Sequence, residues 1–204
     1  MNRYADVTAA QICAFHDQCL NTPRWATDAP ASHADGVWHF VELNHRYNNL
    51  LWDEEDLARR RNVPDSAIAA NKRAIDGYNQ KRNDAIENID EQLLLRIADV
   101  TPQPEAWLNS ETAGSTIDRL SILSLKIFHM RLQTQRQDVD AEHLQTCQAK
   151  LDRLQTQRHD LQTSLNRLLA GAAAGTACFR VYRQFKMYND PKLNPCLYNE
   201  KPAQ

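Results

Sequence analysis

Asn62-Val63-Pro64-Asp65-Ser66 decides how this chain is arranged. Proline has no amide hydrogen and its ring clashes with the carbonyl one turn back, so Pro64 ends the helical pattern before it. Ser66 reads as the cap of the helix that follows. Upstream, Gly36 to Arg61 carries Phe40, Leu43, Tyr47, Leu51 and Ala58 on one helical face. Downstream, a helix is expected from Ser66 to Asp99, with Ile68, Ile75, Ile86, Ile89 and Leu93 as its buried stripe. At ~1.5 Å per residue it is roughly 50 Å long and spans the molecule. A turn of a few residues makes the two helices antiparallel neighbours, so 36–99 reads as one helical hairpin.

The same reasoning extends in both directions. Towards the N-terminus, Val7 to Leu20 places Ile12, Phe15, Cys19 and Leu20 at helical spacing behind Thr8, a good cap. Residues 22–35 read as a loop that packs Trp25, completing an N-terminal unit over 1–35. Towards the C-terminus, Pro102, Pro104 and Gly114 mark 100–114 as a loop. Ser115-Thr116-Ile117-Asp118 matches a capping box ahead of a helix over 115–135, which leaves Asp118 a capping role. The next helix, 140–169, has a seven-residue ladder of Leu144, Leu151 and Leu165 with Arg158 at the missing rung. Cys147, Leu154, Leu161 and Leu168 form a second ladder offset by three, giving a coiled-coil-like seam. Residues 115–169 thus form a second helical pair. In the tail, 176–204, Arg180, Arg183 and Lys186 recur every three residues, the spacing of one face of a short helix. The expected fold is all-α: one domain, an antiparallel bundle of about five main helices around a long central pair, with a packed C-terminal tail.

Composition excludes several function classes. The 204 residues include 42% hydrophobic ones, enough for a core, and 5 Gly and 8 Pro, too few for a turn-rich β fold. Lys and Arg number 24 against 26 Asp and Glu, a net charge of -2. Such a chain has no whole-molecule attraction for nucleic acid, and none is expected as a partner. No run approaches the ~18 apolar residues of a membrane span. The opening residues lack the charged-then-apolar pattern of a secretory signal. The five cysteines form no Cys-x-x-Cys pair, so free thiols and a cytoplasmic location are expected.

The hairpin carries polar residues where a core belongs. Asn44, Asn48 and Glu55 lie on or beside the apolar face of the first helix, and Lys72, Asn79 and Arg82 interrupt the stripe of the second. Folding about Pro64 sets Glu55 and Asp56 level with Lys72, Trp52 with Asp76, Asn48 with Asn79 and Gln80, and His45 with Asn83. Buried ionic groups cost several kcal/mol unless paired, so this column must be satisfied internally or by a ligand. Asp118 and His129 share a face of the 115–135 helix with Leu125 and add an acid and an imidazole. Glu55, Asp56, Asp118 and His129 are the candidates for acid, base or metal chemistry. Asn48, Lys72, Asp76, Asn79, Arg82, Arg119, Arg183 and Lys186 are the candidates for holding a ligand, the cations for its phosphates. A divalent metal is left open. Glu42-x-x-His45 has the spacing of a di-iron half-site, but it occurs once, and the chain contains no phosphate-binding glycine loop.

Four blocks resemble one family. They are Asn44 to Asn48 with Leu51 to Asp56, Ala58 and Arg59; Ile68 to Asp90; Asn109 to Gly114 with Ile117 to Ile122 and Lys126; and Tyr182 to Pro191. Over about 37–195 the chain is similar to the bacterial family named domain of unknown function 4254. Ala113 departs from the proline usual before the glycine of the third block. The resemblance implies a cytoplasmic helical protein encoded among glycosyltransferases of surface-polysaccharide synthesis, and it implies no reaction. The expected function is binding, with processing as its extension, of a phosphorylated sugar or nucleotide-sugar in that synthesis. The alternative is a non-catalytic accessory protein that docks on a partner such as a glycosyltransferase, or on a second copy, through the 140–169 seam.

Overall fold

Two helical hairpins form the body of the molecule in a computed structural model that describes residues 3–199; Met1, Asn2 and 200–204, the end of the expected tail, lie outside the described residues. α1 (Ala9–Leu20) and the short α2 (Trp25–Asp28) precede the first hairpin, α3 (Gly36–Leu57) and α4 (Asp65–Leu95). The second hairpin is α5 (Ala113–Thr134) and α6 (Ala141–Ala173), followed by a 3₁₀ turn at Met187–Asn189 and a four-residue α7 (Pro195–Tyr198). α1 packs on α5 and α6, while α5 also packs on α3 and α4. The all-α, single-domain expectation holds. Among the described residues no helix is long and apolar enough to cross a membrane.

Local chemistry sets the ends. Thr8 caps α1 through a reciprocal pair of bonds with Gln11. Pro64 itself occupies the cap position of α4, with φ -60° and ψ 146°, and α4 starts at Asp65. Ser66 is therefore inside the helix and not its cap. α5 likewise starts two residues earlier than expected, because Thr112 Oγ1, not Ser115, accepts the free amide, from Ser115 N at 3.1 Å. α6 continues through Gly171 and stops only where Gly175 turns left-handed at φ +72°.

Two expectations fail at the edges of the bundle. The loop before α5 contains a strand, β1 (Trp107–Leu108), paired in parallel with β2 (Ala177–Cys178). Two residues are too few to leave a period in the sequence. The tail forms no helix over Arg180 to Lys186; it runs extended from a buried Phe179. Its backbone is drawn across α4, where Gln184 N donates to Glu87 Oε1 at 2.8 Å and Arg183 pairs with Glu87 and Glu91. The expected basic stripe is therefore broken up.

The core sits where the N-terminal ends of α3 and α5 meet the C-terminal ends of α4 and α6. Val37 and Val41, Ile89 and Leu93, Ile117 and Leu120, and Leu165 and Leu168 close it, with Ile12 of α1. Each fully buried side chain of this size contributes about 1.5–3 kcal/mol. The α6 seam is consumed here. Cys147, Leu151, Leu165 and Leu168 are buried within the molecule, Leu161 packs against the core, and Arg158 binds Asp17 of α1 at 2.8 and 3.0 Å. The seam that suggested a docking face is an internal contact. All five cysteines are free.

Candidate functional site

One turn along α3 from Val41, the interior turns polar without becoming wet. Asn44 and His45 are fully buried and Asn48 nearly so. The register of the hairpin is the one the turn dictates: Asn71 Nδ2 donates to Glu54 at 2.7 Å, and Tyr47 stacks on Tyr78. Asp118 enters this layer from α5. Because α5 begins at Ala113, Asp118 lies in its second turn and faces α3, so it has no capping role. Its Oδ1 accepts from Asn44 Nδ2 and Asn48 Nδ2, both at 2.8 Å, and lies 3.9 Å from Arg82 Nε. Asn48 Nδ2 also reaches Ser121 Oγ at 3.0 Å, and Ser121 Oγ bonds His45 Nδ1 at 2.8 Å. A buried carboxylate must find donors to replace water, and α3 supplies two amides at one-turn spacing.

The chain of bonds ends on an unsatisfied pair. His16 and His45 stack with ring centroids 4.3 Å apart, both fully buried. Among the described residues no hydrogen bond reaches either ring nitrogen of His16 or Nε2 of His45. Burial holds His45 down to about 3 and pushes His16 well below the ordinary imidazole range, so both rings are neutral.

Further along α3 the layer opens into a groove of about 280 Å³, lined by Asn48, Trp52, Glu55, Asp56, Asn79 and Arg82 among others. Six of the twelve candidates from the sequence meet here or at its wall: Asn48, Glu55, Asp56, Asn79, Arg82 and, through Arg82, Asp118. Lys186 does not line the groove but lies within the field of Arg82. Burial and the neighbouring Arg82 guanidinium hold its pKa below the usual lysine range, with Asp84 and Asp76 opposing. Arg82 Nε is itself buried without a hydrogen-bond partner among the described residues. Glu55 binds Arg59 at 2.9 Å, whereas the Asp56 carboxylate forms no hydrogen bond or ion pair with a described residue.

The other candidates are engaged elsewhere. Lys72 and Asp76 are exposed and bound to each other along α4, with Glu55 adding to the field on Lys72. Arg119 is tied to Glu111 at 2.6 Å, and Arg183 to Glu87 and Glu91. His129 stacks flat on Trp52, centroids 4.4 Å apart and planes 3° apart, in a neighbouring hollow; burial lowers its pKa against the fields of Asp56 and Asp53. Among the described residues no group of three or more His, Cys, Asp or Glu side chains is placed to hold a metal ion. Glu55, Asp56, Asp118 and His129 are therefore not gathered into such a group.

Two residues escaped the sequence reading. Ser121 joins the two halves of the buried network, yet a serine inside an apolar helix gives no spacing signal. Asp90, beside Ile89 of the buried stripe, accepts from Gly114 N at 2.6 Å, and burial raises it to about 6. A Cβ on Gly114 would lie 2.4 Å from Ile86 O, so only glycine lets α5 approach α4 this closely.

Comparison with known proteins places these features in a family. No curated protein and no solved structure matches the chain. Residues 38–181, which include all but the first two residues of α3, the whole of α4 to α6, both strands and the whole polar layer except His16, match the family described as a protein of unknown function, DUF4254. The chain belongs to the DUF4254 family.

Proposed function

We propose that the protein binds a phosphorylated sugar or nucleotide-sugar of bacterial surface-glycan synthesis, in the cytoplasm, within the groove between α3, α4 and α5. The observation that carries this reading is that Arg82 lines one groove with the amides of Asn48 and Asn79. Its buried Nε–H lacks a hydrogen-bond partner among the described residues and favours an anion, and the field between Arg82 and Lys186 adds to the positive charge nearby. The amides suit the hydroxyls of a sugar. Asp56, which forms no hydrogen bond or ion pair with a described residue, is the carboxylate best placed to act as a base on such a ligand, while Glu55 is restrained by Arg59. The surface-glycan assignment rests on the family's association with glycosyltransferases.

Thermal shift of the purified protein against sugar phosphates, nucleotide-sugars and nucleotides tests the reading, since a ligand of the native state raises apparent stability by mass action. A saturable rise with a sugar phosphate that disappears in Arg82→Ala supports it. No rise with any of these compounds moves the weight to the accessory reading. That rival no longer rests on the α6 seam. It rests on the tail, where Tyr182, Phe185, Tyr188 and Tyr198 are exposed, Phe185 by 85%.

A further inference from the structure

Trp52 lines two hollows, not one. On the side away from Arg82, a second groove of about 520 Å³ lies between the end of α3, the second half of α5 and the middle of α6. That is within the size range of sites for small organic ligands. The Trp52–His129 stack forms one wall, and Leu154 contributes apolar surface. Lys126, Lys150 and Arg153 line it as well. None of the three has a hydrogen bond or ion pair with any described residue, in a molecule whose other arginines are largely paired. The single carboxylate of the lining is Asp56, at the partition with the first groove.

Three cations that no described carboxylate pairs give this concavity an excess of positive charge, which suits a polyanion. A flat aromatic wall beside them adds a surface for a planar ring, worth about 1–3 kcal/mol per nucleobase where such stacking has been measured. Inorganic phosphate would use the cations and leave the wall idle. A simple sugar phosphate would bring one phosphate to three cations. We propose that this groove binds the nucleoside diphosphate portion of a ligand, the phosphates on Lys126, Lys150 and Arg153 and the base against Trp52 and His129. The proposal rests on the preceding reading for the ligand class and supplies the end of the molecule that the Arg82 groove does not hold.

The test is calorimetric titration with UDP, ADP, pyrophosphate and glucose 1-phosphate. The proteins compared are the wild type, the triple variant Lys126→Ala/Lys150→Ala/Arg153→Ala, His129→Leu, and Arg82→Ala. Both substitution sets at the second groove are at its surface, and circular dichroism checks that each variant is folded. The expected result is saturable nucleotide binding, weakened at least tenfold by the triple variant and severalfold by His129→Leu, but changed less than twofold by Arg82→Ala. Pyrophosphate should bind more weakly than either nucleotide and be indifferent to His129→Leu. Absence of nucleotide binding, or binding that the triple variant leaves intact, overturns the proposal. Pyrophosphate binding as tightly as UDP overturns the nucleotide assignment. Failure of the preceding reading looks different: glucose 1-phosphate shows no binding that depends on Arg82, while UDP still binds through the second groove.

Discussion

Val41 and His45 are one turn apart on α3 and both wholly buried, but they sit in two different interiors. At Val41 the four main helices close on aliphatic side chains. At His45 they close on two asparagines, an aspartate, a serine and a stacked pair of imidazoles. The aliphatic end gains from every contact it makes and asks nothing of geometry beyond shape. The polar layer holds only if each donor meets its acceptor, since an unmet buried group costs about 1–3 kcal/mol. It also borders the groove, so the same residues that weaken the interior shape what the groove can hold.

The two interiors should fail differently. Leu165→Ala, in the aliphatic end, is expected to cost about 3 kcal/mol by leaving a cavity. Denaturant unfolding should show that loss as nearly the same at pH 5 and pH 8. Asp118→Ala, in the polar layer, should cost about 2–3 kcal/mol, because it strands the amides of Asn44 and Asn48 and the guanidinium of Arg82. A measured loss below about 0.5 kcal/mol would show that the layer is not a structural network.

pH separates the layers further. His45 has its folded-state pKa depressed from 6.5 to about 3, so only the unfolded chain takes up its proton as pH falls below 6.5. Its stabilising contribution is full above that pH and declines below it, by on the order of 2 kcal/mol at pH 5. His16 acts in the same direction. His16→Phe, which keeps a ring in the stack and removes two unbonded nitrogens, should reduce the fall in Tm between pH 7 and pH 5. An unchanged fall would place the acid sensitivity elsewhere.

Asp90 works with the opposite sign. Its pKa rises on folding from 3.8 to about 6, so the native state holds the proton more tightly and this contribution is lost as pH rises through that window. Asp90→Asn keeps the acceptor for Gly114 N and removes the charge. Stability at pH 7.5 should therefore hold or rise by about 1–2 kcal/mol, read as a shift in the denaturant midpoint. A large loss instead would mean that the ionised carboxylate is needed against the start of α5.

The smallest structural effect is expected in the open groove. Glu55→Ala removes a half-exposed pair with Arg59 and should change stability by no more than about 0.5 kcal/mol. Helicity by circular dichroism should stay the same. Collapse of the fold would make Glu55 part of the interior, and the contrast between the layers would lose its boundary.

Much of this was legible in the sequence. Pro64 and the two apolar stripes suffice for an antiparallel hairpin, because a short connection leaves its helices no other way to pack. From that register, Asn48 could be set level with Asn79, and His45 with Asn83, from the sequence alone. The charged residues were harder to assign, because a long side chain reaches whichever partner the surrounding helices offer. Lys72 finds Asp76 on its own helix, Arg183 is taken by Glu87 and Glu91, and His129 lies on Trp52. Spacing along one helix says nothing about a neighbour on another.

Periodicity, proline and composition thus determined by themselves that the chain is a helical bundle with a polar interruption in its central hairpin. Those signals are local, and each turn of helix carries them. Only the tertiary structure decided that Asp118 serves the interior instead of a cap, that the α6 seam packs inward, and that Trp52 divides two grooves. Each of these depends on which faces meet across separate helices, and that is settled by close packing of the whole set, down to the hydrogen atom of Gly114 facing Ile86 O.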